Sequence, residues 1–306
     1  MAQPPAQANS HARKLAARGN QPVAAGLWLN GALAAVKVAA GLAGDSFALI
    51  ADGLESSADV FSSIIVFLGL RLSAKPADEN HPYGHGKAEP MAAAVVGLAL
   101  VAAGLAIVIQ AIREILTPHP MPKAYTLWVL AGVVAVKETM FRYGSGVGAE
   151  IQSTAVKADA WHHRSDAITS AFAFLGITIA LWMGPGWETA DDWAALAAAP
   201  IILLNAYHQL RPALQELSDA APPAAIEQQV RAVAASVPGV RALEKCFVRK
   251  MGFDFFIDLH VEVDPELSVR EGHRIAHDVQ DALLAANPRI THALIHIEPH
   301  GGGQQP

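Results

Sequence analysis

Glu55 and Asp59, and again His162 and Asp166, are metal-ligating side chains set four residues apart within otherwise apolar sequence. They belong to a repeated spelling, Ala51-Asp52-x-x-Glu55-x-x-x-Asp59 and Ala158-Asp159-x-x-His162-x-x-x-Asp166. On a helix this spacing stacks both members on one face, so two such helices side by side offer four oxygen and nitrogen ligands to one cation. Asp52 and Asp159 stand three residues before each pair, one turn away, where they would make supporting hydrogen bonds or form a waiting position on the ion's path. The plainer reading is that intramembrane carboxylates pair with a basic residue, Lys37 or Arg164, and hold helices together. Four ligand types in two spaced pairs weigh against it, because an uncompensated charge in hydrocarbon costs on the order of several kcal/mol and is retained chiefly for function.

Two other groupings carry ligand types. Asp78, His81 and His85 lie in Asp78-Glu79-Asn80-His81-Pro82-Tyr83-Gly84-His85-Gly86-Lys87, where proline and glycine turn the chain and let the three meet in a compact loop. Composition alone allows a metal-holding loop or a polar turn. Towards the C-terminus come His260, His273, His277, His296, Glu298 and His300, read either as a metal-rich surface or as ordinary surface histidines ending in a loose tail. The single cysteine, Cys246, excludes a disulfide framework and Cys-rich zinc sites, so any metal must be held by His, Asp and Glu.

The elements that position these groups must be membrane helices. With 52% hydrophobic and 16% charged residues among 306, and a mean hydropathy of +0.28, the chain is too apolar for an ordinary soluble protein. A spanning helix needs about twenty apolar residues, and six segments qualify: 23–43, 47–72, 88–116, 125–149, 154–182 and 193–217. The fourth and fifth are the weakest. Their charges, Lys137, Glu138, Arg142, Asp159 and Asp166, would fail a strict hydropathy test and must face protein or water. Lys and Arg gather before the first segment and around the second and fourth loops, while the loops at 44–46 and 184–192 carry none. The positive-inside rule then places both termini in the cytoplasm of a multi-pass inner-membrane protein. No cleavable signal peptide is expected, and the net charge of -6 without a long basic run argues against nucleic acid as partner.

Beyond Asp219 the pattern becomes that of a small soluble domain. Pro222-Pro223 breaks the chain and starts a helix, Phe256 to Val263 alternates as a strand, and the order reads αββαβ. The expected organisation is a disordered cytoplasmic tail over 1–21 and an all-α six-helix transmembrane bundle over 22–218. An α+β cytoplasmic domain over 219–300 and a flexible tail over 301–306 complete it.

Taken together, Asp52-Gly53-x-Glu55-Ser56-x-x-Asp59-Val60, Asn80-His81-x-x-Gly84-His85-Gly86-Lys87-x-Glu89 and Ala158-Asp159-x-x-His162-x-x-x-Asp166 resemble the cation diffusion facilitator family of divalent-metal/proton antiporters. The resemblance runs from about Val23 to His300. It implies six transmembrane helices, a metallochaperone-like (ferredoxin-like) cytoplasmic domain and a homodimer. By position it implies a transport site of Glu55, Asp59, His162 and Asp166, a loop site of Asp78, His81 and His85, and a cytoplasmic site of His260, His273, His296 and Glu298. Lys87 matches a residue of an inter-subunit charge interlock, for which Asp219 is the candidate partner here. Two departures stand out: Glu55 occupies a place where zinc transporters of the family commonly have Asp or His, and Glu244 stands where a further cytoplasmic histidine is expected.

The function implied is efflux of a divalent cation, Zn2+ first and Fe2+, Mn2+, Co2+ or Cd2+ as alternatives, against protons by alternating access. No prosthetic group and no covalent chemistry are required. A membrane-embedded metallohydrolase is disfavoured because no His-Glu-x-x-His helix is present and four protein ligands leave zinc little room for water. A membrane-anchored metal sensor leaves the intramembrane carboxylates unexplained.

Overall fold

The structure, a computed structural model, describes residues 6–43, 47–117 and 124–301; the side chains of residues 6–9, 36–38, 40–43, 47–58, 126 and 191 lie outside that description. Six long helices come first: α1 (Ala6–Ala43), α2 (Phe47–Ser73), α3 (Ala88–Leu116), α4 (Thr126–Glu150), α5 (Thr154–Met183) and α6 (Ala190–Leu217). Then follow α7 (Ala224–Ala235), β1 (Ala242–Met251), β2 (Asp254–Val263), α8 (Val269–Ala286) and β3 (Ile290–Pro299). The N-terminal stretch expected to be irregular is helical from Ala6, and Pro22 lies inside that helix. Its Ala, Gln, Arg and Lys content explains this, since those residues have high helix propensity.

The chain forms two compact units, Ala17–Arg71 with Ala88–Leu214, and Met1–Ala16 with Leu72–Lys87 and Gln215–Pro306. The first is helical with an apolar exterior: Leu98, Leu105, Trp128, Leu175, Trp182 and Leu204 are all at least half exposed. By length and composition α3 and α5 each suffice to cross a membrane. For α5 this corrects the expectation from its charges, because Asp159 and Asp166 sit in its first half and leave a long apolar run beyond them.

A tight turn at Ile151–Ser153 makes α4 and α5 neighbours along their lengths. Ser153 caps α5 by accepting a hydrogen bond from the Val156 N–H at 3.2 Å. Close approach of the two helices depends on a missing side chain, for a Cβ at Gly148 would come within 2.9 Å of Lys157 Cγ. Glu89, in the first turn of α3 and fully buried, accepts hydrogen bonds from the Ser153 hydroxyl at 2.5 Å and the Ala155 N–H at 3.4 Å. A carboxylate there also complements the positive end of the helix dipole, and it ties the starts of α3 and α5 together.

In the other unit the sheet order is β1-β2-β3, with β1 antiparallel and β3 parallel to β2. The parallel pair needs a crossover, which α8 supplies. Along β2, Phe255, Ile257, Leu259, Val261 and Val263 are buried against Val230, Ile275, Val279 and Leu283 from α7 and α8. The even-numbered side chains of β2 therefore project from the opposite face of the sheet. Ser268 begins α8 with a capping box, exchanging hydrogen bonds with Glu271.

Candidate metal centres

In the helical unit, Asp59 from α2 and His162 and Asp166 from α5 bring one ligand atom each within 4.8 Å of one another. Asp59 Oδ1 lies 2.9 Å from His162 Nε2. The i,i+4 spacing on α5 puts His162 and Asp166 on one side of that helix, as the sequence predicts. One turn away, the Ser63 hydroxyl of α2 donates to Asp159 Oδ1 at 3.1 Å, a second tie between the same two helices. The other Asp159 oxygen stands 3.9 Å from His163 Nε2. His162 is buried, and its Nδ1 meets no hydrogen-bond partner among the described residues. The side chains of Glu55 and Asp52 lie outside the described residues.

The basic partner of these carboxylates is one the sequence reading passed over. Lys137 of α4, only 4% exposed, donates to Asp59 Oδ2 at 2.9 Å and to Asp166 Oδ2 at 2.7 Å. Arg164 is occupied elsewhere, its guanidinium 4.4 Å from the Phe141 ring centre. The signal was present in the sequence, since a lysine within an apolar helix needs an acidic partner.

In the second unit, Asp78, His81 and His85 also converge. Asp78 Oδ1 accepts from the His81 N–H at 2.9 Å and lies 3.2 Å from His81 Nδ1, while Asp78 Oδ2 lies 3.5 Å from His85 Nε2. The hydrogen bond from Lys75, followed by those from His81, holds the Asp78 carboxyl well below the usual carboxylate range. Gly84, at a φ of 84°, makes the turn between the two histidines. The loop is seated on the sheet: Tyr83 packs edge-on against Phe256 and His292, and a Cβ at Gly86 would lie 2.5 Å from the Met251 carbonyl oxygen. Lys87 pairs with Asp219 at 3.0 Å within the one chain, whereas the resemblance implied a pair between subunits.

Further along the same sheet face, register pairs His260 with His296 and Glu262 with Glu298. His260 Nδ1 is 2.6 Å from Glu298 Oε1, which is 3.6 Å from His296 Nε2. Glu244, the departure noted in the sequence, joins this group at 3.6 Å from His260 Nδ1. A hydrogen bond with Glu244, then the bond to His260, holds Glu298 below the usual glutamate range. His273 is not among these three: its Nε2 stands 3.2 Å from that of His277, one turn on along α8. His273 and Glu298 do line one cavity of about 400 Å3 together with Gly272 and Ile297. His300 pairs with Glu262 at 2.7 Å.

Comparison with known proteins agrees in both units. Residues 23–218 match the cation efflux transmembrane domain and residues 222–300 the cytoplasmic domain of cation efflux proteins. The manganese efflux system protein MneP of Bacillus subtilis is 31% identical over 272 residues, 88% of this chain and 92% of that protein. The magnetosome protein MamM of Paramagnetospirillum magneticum is 31% identical over 288 residues, 91% of this chain and 87% of that protein. A solved structure of a MamM C-terminal domain aligns with 25% of this chain and 98% of its own length at 31% identity, with a TM-score of 0.25. With both of its domains matched in order, the chain belongs to the cation diffusion facilitator family of membrane-integral metal transporters.

Proposed function

We propose that the chain expels a divalent metal cation from the cytoplasm in exchange for protons, by alternating access across six inner-membrane spans, as a homodimer with both termini cytoplasmic. The observation that carries this reading is the convergence of Asp59, His162 and Asp166 in the helical unit. Two carboxylates and an imidazole, with Glu55 proposed as the fourth, make a four-ligand set that would leave a tetrahedral Zn2+ no position for catalytic water. Ligands must shed protons to take a metal, so binding in one facing state and reprotonation in the other couples the two flows.

The cargo is a first-row divalent cation, and we place Mn2+ ahead of Zn2+. Three carboxylates out of four ligands form an oxygen-rich set, which suits the harder ion, and MneP is named for manganese efflux. Zn2+ stays as the second reading because one imidazole with carboxylates in a closed four-ligand site is also a zinc arrangement. The Asp78/His81/His85 and His260/His296/Glu298 groups are proposed as accessory cytoplasmic sites, the latter drawing on His273 and stabilising the dimer. Lys87 with Asp219 fixes the loop beside that domain. Reconstituted vesicles holding a metal-sensitive dye, with an imposed pH gradient, test the proposal. Mn2+ flux exceeding Zn2+ flux and collapsing with the gradient is the expected result, whereas flux indifferent to the gradient would remove the antiport.

A further inference from the structure

We infer that Lys137 is a tethered competitor of the transported cation, an ammonium built into the protein that claims the carboxylate oxygens the cargo needs. It rests on the transport-site reading of Asp59, His162 and Asp166. The geometry is specific. Lys137 Nζ takes one oxygen from the α2 carboxylate and one from the α5 carboxylate, at 2.9 and 2.7 Å, from a third helix that supplies no ligand to the group. Asp59 is shared two ways, with Oδ2 on the ammonium and Oδ1 on His162 Nε2.

A divalent cation gathered by Asp59, His162 and Asp166 must take oxygens that now accept from Lys137, and two cations in one low-dielectric cage repel strongly. The ammonium must therefore withdraw as the metal arrives, which its flexible four-carbon stem permits while it stays charged. Two consequences follow. Metal binds more weakly than bare carboxylates would hold it, so it can leave again. The ammonium also compensates the carboxylates during the return of the unloaded transporter, alongside the protons that the ligands take up.

A lysine that merely glued helices together would, on removal, destabilise the protein and leave the apparent affinity unchanged or poorer. The competitor role makes the opposite demand, so the two roles separate on KM against maximal rate. The test uses the full chain in dye-loaded vesicles at fixed pH with Mn2+ as probe, comparing Lys137→Met, the native lysine and Lys137→Arg. Met removes the competing charge at similar length, and Arg keeps the charge while gripping carboxylates with a bidentate fork. KM is expected to rise in the order Met, Lys, Arg by about tenfold per step, with Met also slowing the maximal rate because metal release and the unloaded return are hindered. Equal KM values across the series, or a higher KM in Lys137→Met than in the native protein, would overturn the inference. If Lys137→Met does not fold, Lys137→Arg decides alone: a raised KM supports the competitor and an unchanged one defeats it. Asp59→Ala in the same vesicles separates the two levels. Full transport by Asp59→Ala would defeat the site assignment itself, whereas lost transport with no KM order across the lysine series would defeat only the role of Lys137.

Discussion

The ligand-type clusters of the two units are alike in composition and opposite in how their charge is balanced. In the helical unit, Asp59, His162 and Asp166 share a cage with a lysine ammonium that is itself buried. In the other unit, Asp78 leans on the exposed Lys75, and Glu298 on His260 and His296, with His81 and His296 more than half open to solvent. The nearly enclosed Asp59 and Lys137 must find their partners in the fold, whereas a carboxylate that water reaches needs none. A buried site with its own counter-cation can exchange one cation for another and keep its charge nearly level. An open cluster binds and releases metal with water as the alternative partner.

The largest effect that probes this contrast is expected from His162→Ala. It removes a ligand atom and the hydrogen bond to Asp59, and transport measured in vesicles should fall by about a hundredfold. On the open side, Glu298→Gln is expected to weaken metal binding by the cytoplasmic domain by about tenfold in equilibrium dialysis, while transport falls only a few-fold. Asp254 breaks the pattern within its own unit, because burial, opposed by Arg289, pushes its carboxyl up to about 7. The folded state then keeps a proton that the unfolded chain releases near pH 4, so this group costs stability progressively as pH rises from about 4 to 7. Asp254→Asn should raise the domain's thermal stability at pH 8, by on the order of 1 kcal/mol, and leave it unchanged at pH 4. The smallest effect belongs to His81→Ala: an exposed ligand on a turn closed by its own backbone should alter transport by less than about threefold.

Much of this architecture was legible before the structure. The apolar runs of the six long helices matched their positions to within a few residues, except where α1 starts early, because length and hydropathy are strong signals in an apolar chain. Strict alternation from Phe256 to Val263 likewise fixed which face of β2 carries His260. The i,i+4 spacing on α5 anticipated that His162 and Asp166 share one face, since helical geometry alone brings them there, while the Glu55 side chain lies outside the described residues. The lysine of the cage stayed hidden because α4 also carries Glu138, Arg142 and Glu150, and only packing against α2 and α5 shows which carboxylates it meets. The separation of His273 from His260 has a similar cause: one lies on the crossover helix and the other on the central strand, and spacing along the chain is silent about the distance between them.

The central claim is that the buried cage carries the transported cation and the open clusters assist it. A side-by-side flux measurement of Asp59→Ala/Asp166→Ala and His260→Ala/His296→Ala, in dye-loaded vesicles under one pH gradient, tests it most directly. The account predicts that the first pair abolishes Mn2+ and Zn2+ movement while the second keeps most of it; transport surviving in the first and lost in the second would contradict it.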